Sequence, residues 1–203
     1  MHFLFFTSMK KSASFLFILF SILASCQKKG ESEQLLFEKI KPEESGITFR
    51  NDLSYTESVN PYTFRNFYNG AGVGLGDLNN DGLIDIVLSG NQSPNKIYLN
   101  EGNFKFKDIT DSAGIISQNE WNTGVSLADV NQDGLLDIYF CKSGPLNSAN
   151  RANELYINLG NLQFENQAKA YGLDEVGLSQ HAVFFDFDKD GDLDVYLLSN
   201  SAR

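Results

Sequence analysis

Three short stretches of the chain place oxygen-bearing side chains at alternate positions around a glycine. They are GDLNNDGLID (76–85), ADVNQDGLLD (128–137) and FDFDKDGDLD (185–194). Counted from the first acid, side-chain oxygens fall at positions 1, 3, 5 and 9, with glycine at position 6. Asp77, Asn79, Asp81 and Asp85 fill them in the first loop, and Asp129, Asn131, Asp133 and Asp137 in the second. Asp186, Asp188, Asp190 and Asp194 fill them in the third. Carboxylates this crowded repel one another unless a cation sits among them. Calcium takes about six to eight oxygen ligands at ~2.3–2.6 Å, and in alternating loops of this kind a carbonyl at position 7 joins the side chains. Leu83, Leu135 and Asp192 stand at that position. Asn, Asp and Gly also make good turns, but turn chemistry does not demand acids at positions 1, 5 and 9 three times over. Magnesium prefers a tighter, water-rich octahedron. The expectation is one calcium per loop, three in the chain, acting as structural staples.

A helix–loop–helix calcium site would need Glu at position 12, where this chain has Leu88, Phe140 and Leu197. The flanks are also wrong for helices. GAGVGLG (70–76), TGVSLA (123–128) and HAVFF (181–185) precede the loops, and IDIVLSG (84–90), LDIYFCK (136–142) and LDVYLLS (193–199) follow them. These β-branched and aromatic runs read as two strands of a hairpin with the loop at its tip. The pattern repeats: Asp77 to Asp129 spans 52 residues and Asp129 to Asp186 spans 57. NKIYLNEGNFKFKDITDSAGI (95–115) then matches NELYINLGNLQFENQAKAYGL (153–173), each with a turn between alternating runs. In the first repeat the four strands are predicted near 71–76, 84–89, 96–100 and 104–110. Units of four antiparallel strands at this period are β-propeller blades. The fold class expected is all-β, an apparently incomplete propeller. LFEKIKPEESGI (36–47) matches FKFKDITDSAGI (104–115) with one insertion, which predicts an orphan fourth strand. Two and a half blades plus that strand are too few for a ring of about four to eight. We therefore expect the folding unit to continue beyond Arg203, the alternative being a short stack or a ring that a partner completes.

Residues 1–25 read as a signal peptide. Lys10 and Lys11 precede the apolar run SASFLFILFSILA (12–24), which is short for an ordinary membrane span. Leu23-Ala24-Ser25-Cys26 resembles the bacterial lipobox, which implies cleavage before Cys26 and lipid on that residue. Residues 26–35 would form the lipidated tether and 36–203 the repeats. The membrane is thus an expected partner through the anchor. Gln27 rather than Asp follows the Cys, which by analogy with known sorting behaviour favours the outer membrane. Cys141, the other cysteine, lies in the apolar run DIYFC and is expected to be a buried small residue.

Composition narrows the function. Formal net charge is -10, and cleavage would remove two lysines and no acids, making it -12. Such a chain offers no basic stripe for nucleic acid. His181 is the only histidine left after cleavage, no G-x-S-x-G or phosphate loop is present, and the carboxylates recur in every repeat, so no enzyme is expected. In an antiparallel blade the Asp loops and the 3–4 turns share one face. The opposite face would hold 89–95, 111–122, 141–153, 173–180 and the long lead-in 48–70. NPYTFRNFYNG (60–70) is rich in aromatics and amides, a mixture suited to sugars or peptides. Tyr62, Phe64, Phe67 and Tyr68 are nevertheless read first as packing the ring edge, Trp121 as core and Arg151 as solvated.

GVGLGDLNNDGLIDIVLSG and its two relatives resemble FG-GAP, or VCBS, repeats, the blade units of integrin-alpha-like propellers. FYNGAGVGLGDLNNDGLIDI, RANELYINLG and FFDFDKDGDLDVYLLSNS further resemble a group of bacterial surface lipoproteins. Those usually end in an ASPIC/UnbV domain, as the cartilage acidic protein family does. The resemblance implies a calcium-binding surface module for adhesion to extracellular glycan or protein ligands. The alternative is a non-catalytic scaffold of an envelope enzyme or polysaccharide-uptake complex, with chemistry in another region or partner.

Overall fold

A computed structural model describes residues 36–116, 121–145 and 150–200. The signal peptide and the whole tether, Cys26 included, lie outside the described residues. The chain divides into two compact units, Met1–Lys39 and Ile40–Arg203. In the first, residues 36–39 form no regular element. The second carries all the strands described here.

Strands β1 (Val73–Gly76), β2 (Asp85–Leu88), β3 (Lys96–Asn100) and β4 (Phe106–Asp108) form one antiparallel sheet in chain order. β5 (Asn122–Ala128), β6 (Asp137–Lys142), β7 (Glu154–Asn158) and β8 (Phe164–Asn166) form a second. β9 (Ser179–Phe185) and β10 (Asp194–Ser199) pair as a two-stranded third. These are two propeller-like blades and the first hairpin of another. Register places Gly76 opposite Asp85, Ala128 opposite Asp137 and Phe185 opposite Asp194, so each Asp-rich loop caps a hairpin.

The sheets stack face to face, and strand alternation decides which side chain enters which core. Ile138 and Phe140 of β6 and Tyr156 of β7 join Leu78, Val87, Ile97 and Ile109 of the first blade. The intervening Tyr139, Cys141, Leu155 and Ile157 turn the other way, toward Ala182 and Phe184 of β9 and Leu197 of β10. Because both faces are covered, every residue of β6 is buried and its period-2 alternation disappears into one apolar run. One buried charge pair crosses this region, with Lys142 Nζ 2.8 Å from Glu154 Oε1.

The innermost strands approach backbone to backbone. A Cβ on Gly72 would lie 2.4 Å from the Thr123 carbonyl oxygen, and one on Gly124 would lie 2.4 Å from that of Gln180. Hydroxyls stitch the same contacts. Ser89 Oγ donates to the Thr123 carbonyl, and Thr123 Oγ1 donates to the Ser179 carbonyl.

The strand expected over the start of 36–47 is absent. Residues 36–41 are irregular, and a single helical turn, α1 (Pro42–Ser45), follows, closed by Gly46 in the left-handed region at φ 79°. A β-strand needs a neighbour for its N–H and C=O groups, and none of the described strands pairs with this segment. The second half of the match holds. Gly46 lies over the Phe106 carbonyl as Gly114 lies over that of Phe164, so 42–47 seats on the first blade as 110–115 seats on the second.

Candidate metal loops and the opposite face

In the first loop the Asp77 carboxylate curls under the turn. Its Oδ1 accepts from the N–H groups of Asn79 (3.3 Å) and Asp81 (3.1 Å), and its Oδ2 from that of Gly82 (2.7 Å). Burial pushes this carboxyl up, but the donated N–H groups of Gly82, Asp81, Asn79 and Asn80 outweigh it and hold the acid below its ordinary range. Asn79 Oδ1 accepts from Asp81 N–H, and Asp81 Oδ1 accepts from Leu83 N–H. The second loop repeats this: Asp129 Oδ2 accepts from Gly134 N–H, Asn131 Oδ1 from Asp133 N–H and Asp133 Oδ1 from Leu135 N–H. In the third, Asp186 Oδ2 accepts from Gly191 N–H and Asp190 Oδ1 from Asp192 N–H.

Position 9 behaves differently. Asp85 is fully buried, its Oδ2 accepting from Leu78 N–H and its Oδ1 from Asn100 N–H. Asp137 is held likewise by Val130 and Asn158 N–H groups, and Asp194 Oδ2 accepts from Phe187 N–H. Burial pushes Asp85 and Asp137 above the ordinary carboxyl range against those donors, and the neighbouring loop acids push the same way. A nearby cation would relieve that cost.

Only the third loop, among the described residues, draws three carboxylates together. Asp186, Asp188 and Asp194 each bring an oxygen within 4.8 Å of the others. Two oxygens on opposite sides of one calcium at ~2.4 Å stand about 4.8 Å apart, so this donor set fits one such ion. Asp190 stands outside this set of three, its Oδ1 accepting from Asp192 N–H. The Asp192 carboxyl is pushed above its ordinary range by its hydrogen bond with Asp190, and Asp190 is held below its own by the donors of Asp192. The first two loops carry Asn at position 3, and their Asn79 and Asn131 amides donate to Asp81 and Asp133 at 2.9 Å.

Several clamps escaped the sequence reading. Asn158 Nδ2 donates to the Leu136 carbonyl of its own blade at 3.2 Å and to the Leu78 carbonyl of the preceding blade's loop at 2.9 Å. Asn100 makes the own-blade bond to Ile84. Position 4 links successive loops: Asn80 Nδ2 donates to the Gly134 carbonyl and Gln132 Nε2 to that of Gly191, from residues at φ 59° and 60°. The repeated frame N-x-[IL]-Y-[LI]-N carried part of the signal in its last Asn.

The opposite face is assembled as the topology requires. The lead-in is pinned to the first blade's 2–3 loop by a reciprocal pair, Asn51 Nδ2 to Asn91 Oδ1 at 2.7 Å and Asn91 N–H to Asn51 Oδ1 at 2.9 Å. Phe64, Phe67 and Trp121 form a buried aromatic cluster beneath it. Tyr62 and Tyr68 are exceptions to the ring-edge reading, being 100 % and 64 % exposed. Arg151 is not merely solvated, since its Nη1 donates to the Gly177 carbonyl at 3.2 Å. His181 is exposed and lies over Gly124.

Stacked four-stranded antiparallel blades, each with an Asp-rich loop between its first two strands, define a propeller-type repeat protein. Residues 77–140 match the FG-GAP-like repeat. It is similar to cartilage acidic protein 1 of Mus musculus, 30 % identical over 154 residues, covering 74 % of this chain and 22 % of that protein. The Homo sapiens and Xenopus tropicalis proteins of the same name are 29 % and 28 % identical with the same shares covered. The chain thus spans about a fifth of the length of these relatives.

Proposed function

We propose that this chain is a calcium-stapled propeller segment, tethered to the outer membrane by lipid on Cys26, that binds extracellular glycan or protein ligands. The observation that carries the reading is the third loop, where three carboxylates converge at the spacing of one calcium shell. When bound, calcium would supply the positive charge that these oxygen donors otherwise lack. Asp77, Asp81 and Asp85, with the Leu83 carbonyl, would hold it in the first loop, and Asp129, Asp133 and Asp137, with that of Leu135, in the second. Asn79 and Asn131 offer amide oxygens. FG-GAP-like repeats and the lipobox-like Cys26 support a role at the cell envelope, and the exposed tyrosines of the lead-in support binding.

The test is the membrane-associated full chain, with its N-terminal residue weighed and its calcium counted. A lipidated Cys26 at the N-terminus with about three calcium ions per chain is the expected result. An unmodified N-terminus and no bound calcium would overturn the proposal.

A further inference from the structure

We infer that the lead-in segment and the cleft beside it form a site for the end of a neutral polysaccharide. This rests on the proposed reading of the chain as a surface-binding module and names the ligand class and the place. Tyr55 and Tyr68 are each 64 % exposed, yet neither ring is loose. Tyr55 stacks on the fully buried Phe67 with centroids 5.3 Å apart and planes at 14°, and Tyr68 meets the same ring edge-on at 5.2 Å. The two hydroxyls hydrogen-bond each other. Phe67 in turn lies 5.3 Å from Trp121. Two amide side chains hold the segment from below, Asn91 through Asn51 and Gln92 through Ser54. Exposed aromatic faces already fixed in place lose little entropy on binding.

The next residue, Asn69, crosses to the third sheet, its Nδ2 donating to Gln180 Oε1 at 3.1 Å. There a cleft of about 240 Å³ opens, lined by Asn69, Gly72, Thr123, Gly124, Gln180 and His181 among others. It is smaller than the about 300–1,000 Å³ of sites for drug-sized molecules, so it has room for one ring rather than a chain. Among the described residues, no Asp, Glu, Lys or Arg lines it. Amide, hydroxyl and backbone groups here suit neutral hydroxyls, and the adjoining tyrosine faces suit the apolar faces of pyranose rings. A terminal sugar would occupy the cleft and the following units would lie over Tyr68 and Tyr55.

The test is binding of the full chain, in millimolar calcium, to a panel of neutral oligosaccharides of the cello, malto, xylo and manno series. Tyr55→Ala, Tyr68→Ala and Gln180→Ala are compared with the parent, and thermal melting is the folding control. At least one series should bind, tenfold or more weaker in Tyr68→Ala and Gln180→Ala with melting unchanged. Binding that all three variants retain would overturn this site while leaving a glycan-binding module. No binding by any series, or a tyrosine-dependent affinity for a peptide library alone, would overturn the neutral-glycan ligand.

Discussion

At the residue scale, the side chains that hold the loops are not the ones that advertise them. The oxygen donors at positions 1, 3 and 5 are visible by type, but Asn158 ties two blades together. Its amide serves the Leu78 and Leu136 carbonyls and its Oδ1 accepts from Gly160 N–H. Asn158→Ala strands a buried carbonyl and should cost about 2 kcal/mol, read from chemical denaturation; Asn100→Ala, which stays within its own blade, should cost less. Tyr139 and Cys141 give a second expectation. Burial pushes both groups up to about 12. The folded state therefore keeps their protons after the unfolded chain has released them. Their contribution is fully present below the ordinary thiol and phenol values and is lost as pH climbs toward 12. Cys141 alone represents on the order of 4 kcal/mol over that span. Denaturation midpoints should fall steeply from pH 9 to pH 11, and less steeply in Cys141→Ala.

At the element scale, backbone proximity between blades sets the tolerance of the inner strands. Gly72→Ala would drive a methyl into the Thr123 carbonyl and the Val125 N–H, and both obstacles are backbone that cannot swing aside. We expect a loss of about 1–3 kcal/mol, and a comparable loss for Gly124→Ala, whose methyl meets the Gln180 carbonyl. Gly82→Ala sits in open space but at φ 83°, so its smaller penalty comes from backbone strain alone. Much of this architecture was legible in the sequence. The 52- and 57-residue spacings fixed the repeat, and the strands predicted near 84–89 and 96–100 occur at Asp85–Leu88 and Lys96–Asn100. The orphan strand misled because local resemblance specifies a strand only where a partner edge exists. The match was real at Gly46, whose backbone geometry is local, and failed at 36–40, where pairing is not. The acids of the loops could be read from type and spacing. The inter-blade bonds of Asn80, Gln132 and Asn158 could not, since they depend on which blade stacks on which. Tyr62 and Phe67 look alike in the sequence, but one is fully exposed and the other fully buried.

At the scale of the whole molecule, a chain of formal charge -10 gathers 11 of its 26 acids into three hairpin loops, while the lead-in segment carries the exposed Tyr55, Tyr62 and Tyr68. On the proposed function, this division would let cations stabilise one face while the opposite face binds. Loop-to-loop bonds through Asn80 and Gln132 join the candidate ion sites along the stack, so the sites should fill as a coupled set. Sites of extracellular type, with Kd near 0.1 mM, would each add about 1.4 kcal/mol in 1 mM calcium. Three of them would raise Tm by roughly 10 °C in a chain of this size. The most direct test is the thermal melt of the full chain in 1 mM calcium and in excess chelator, beside a variant carrying Asp77→Asn, Asp129→Asn and Asp186→Asn. Calcium should raise the parent's Tm by about that amount and leave the triple variant nearly unmoved. A parent Tm indifferent to calcium would contradict the account, because the loops would then be turns that hold themselves without an ion.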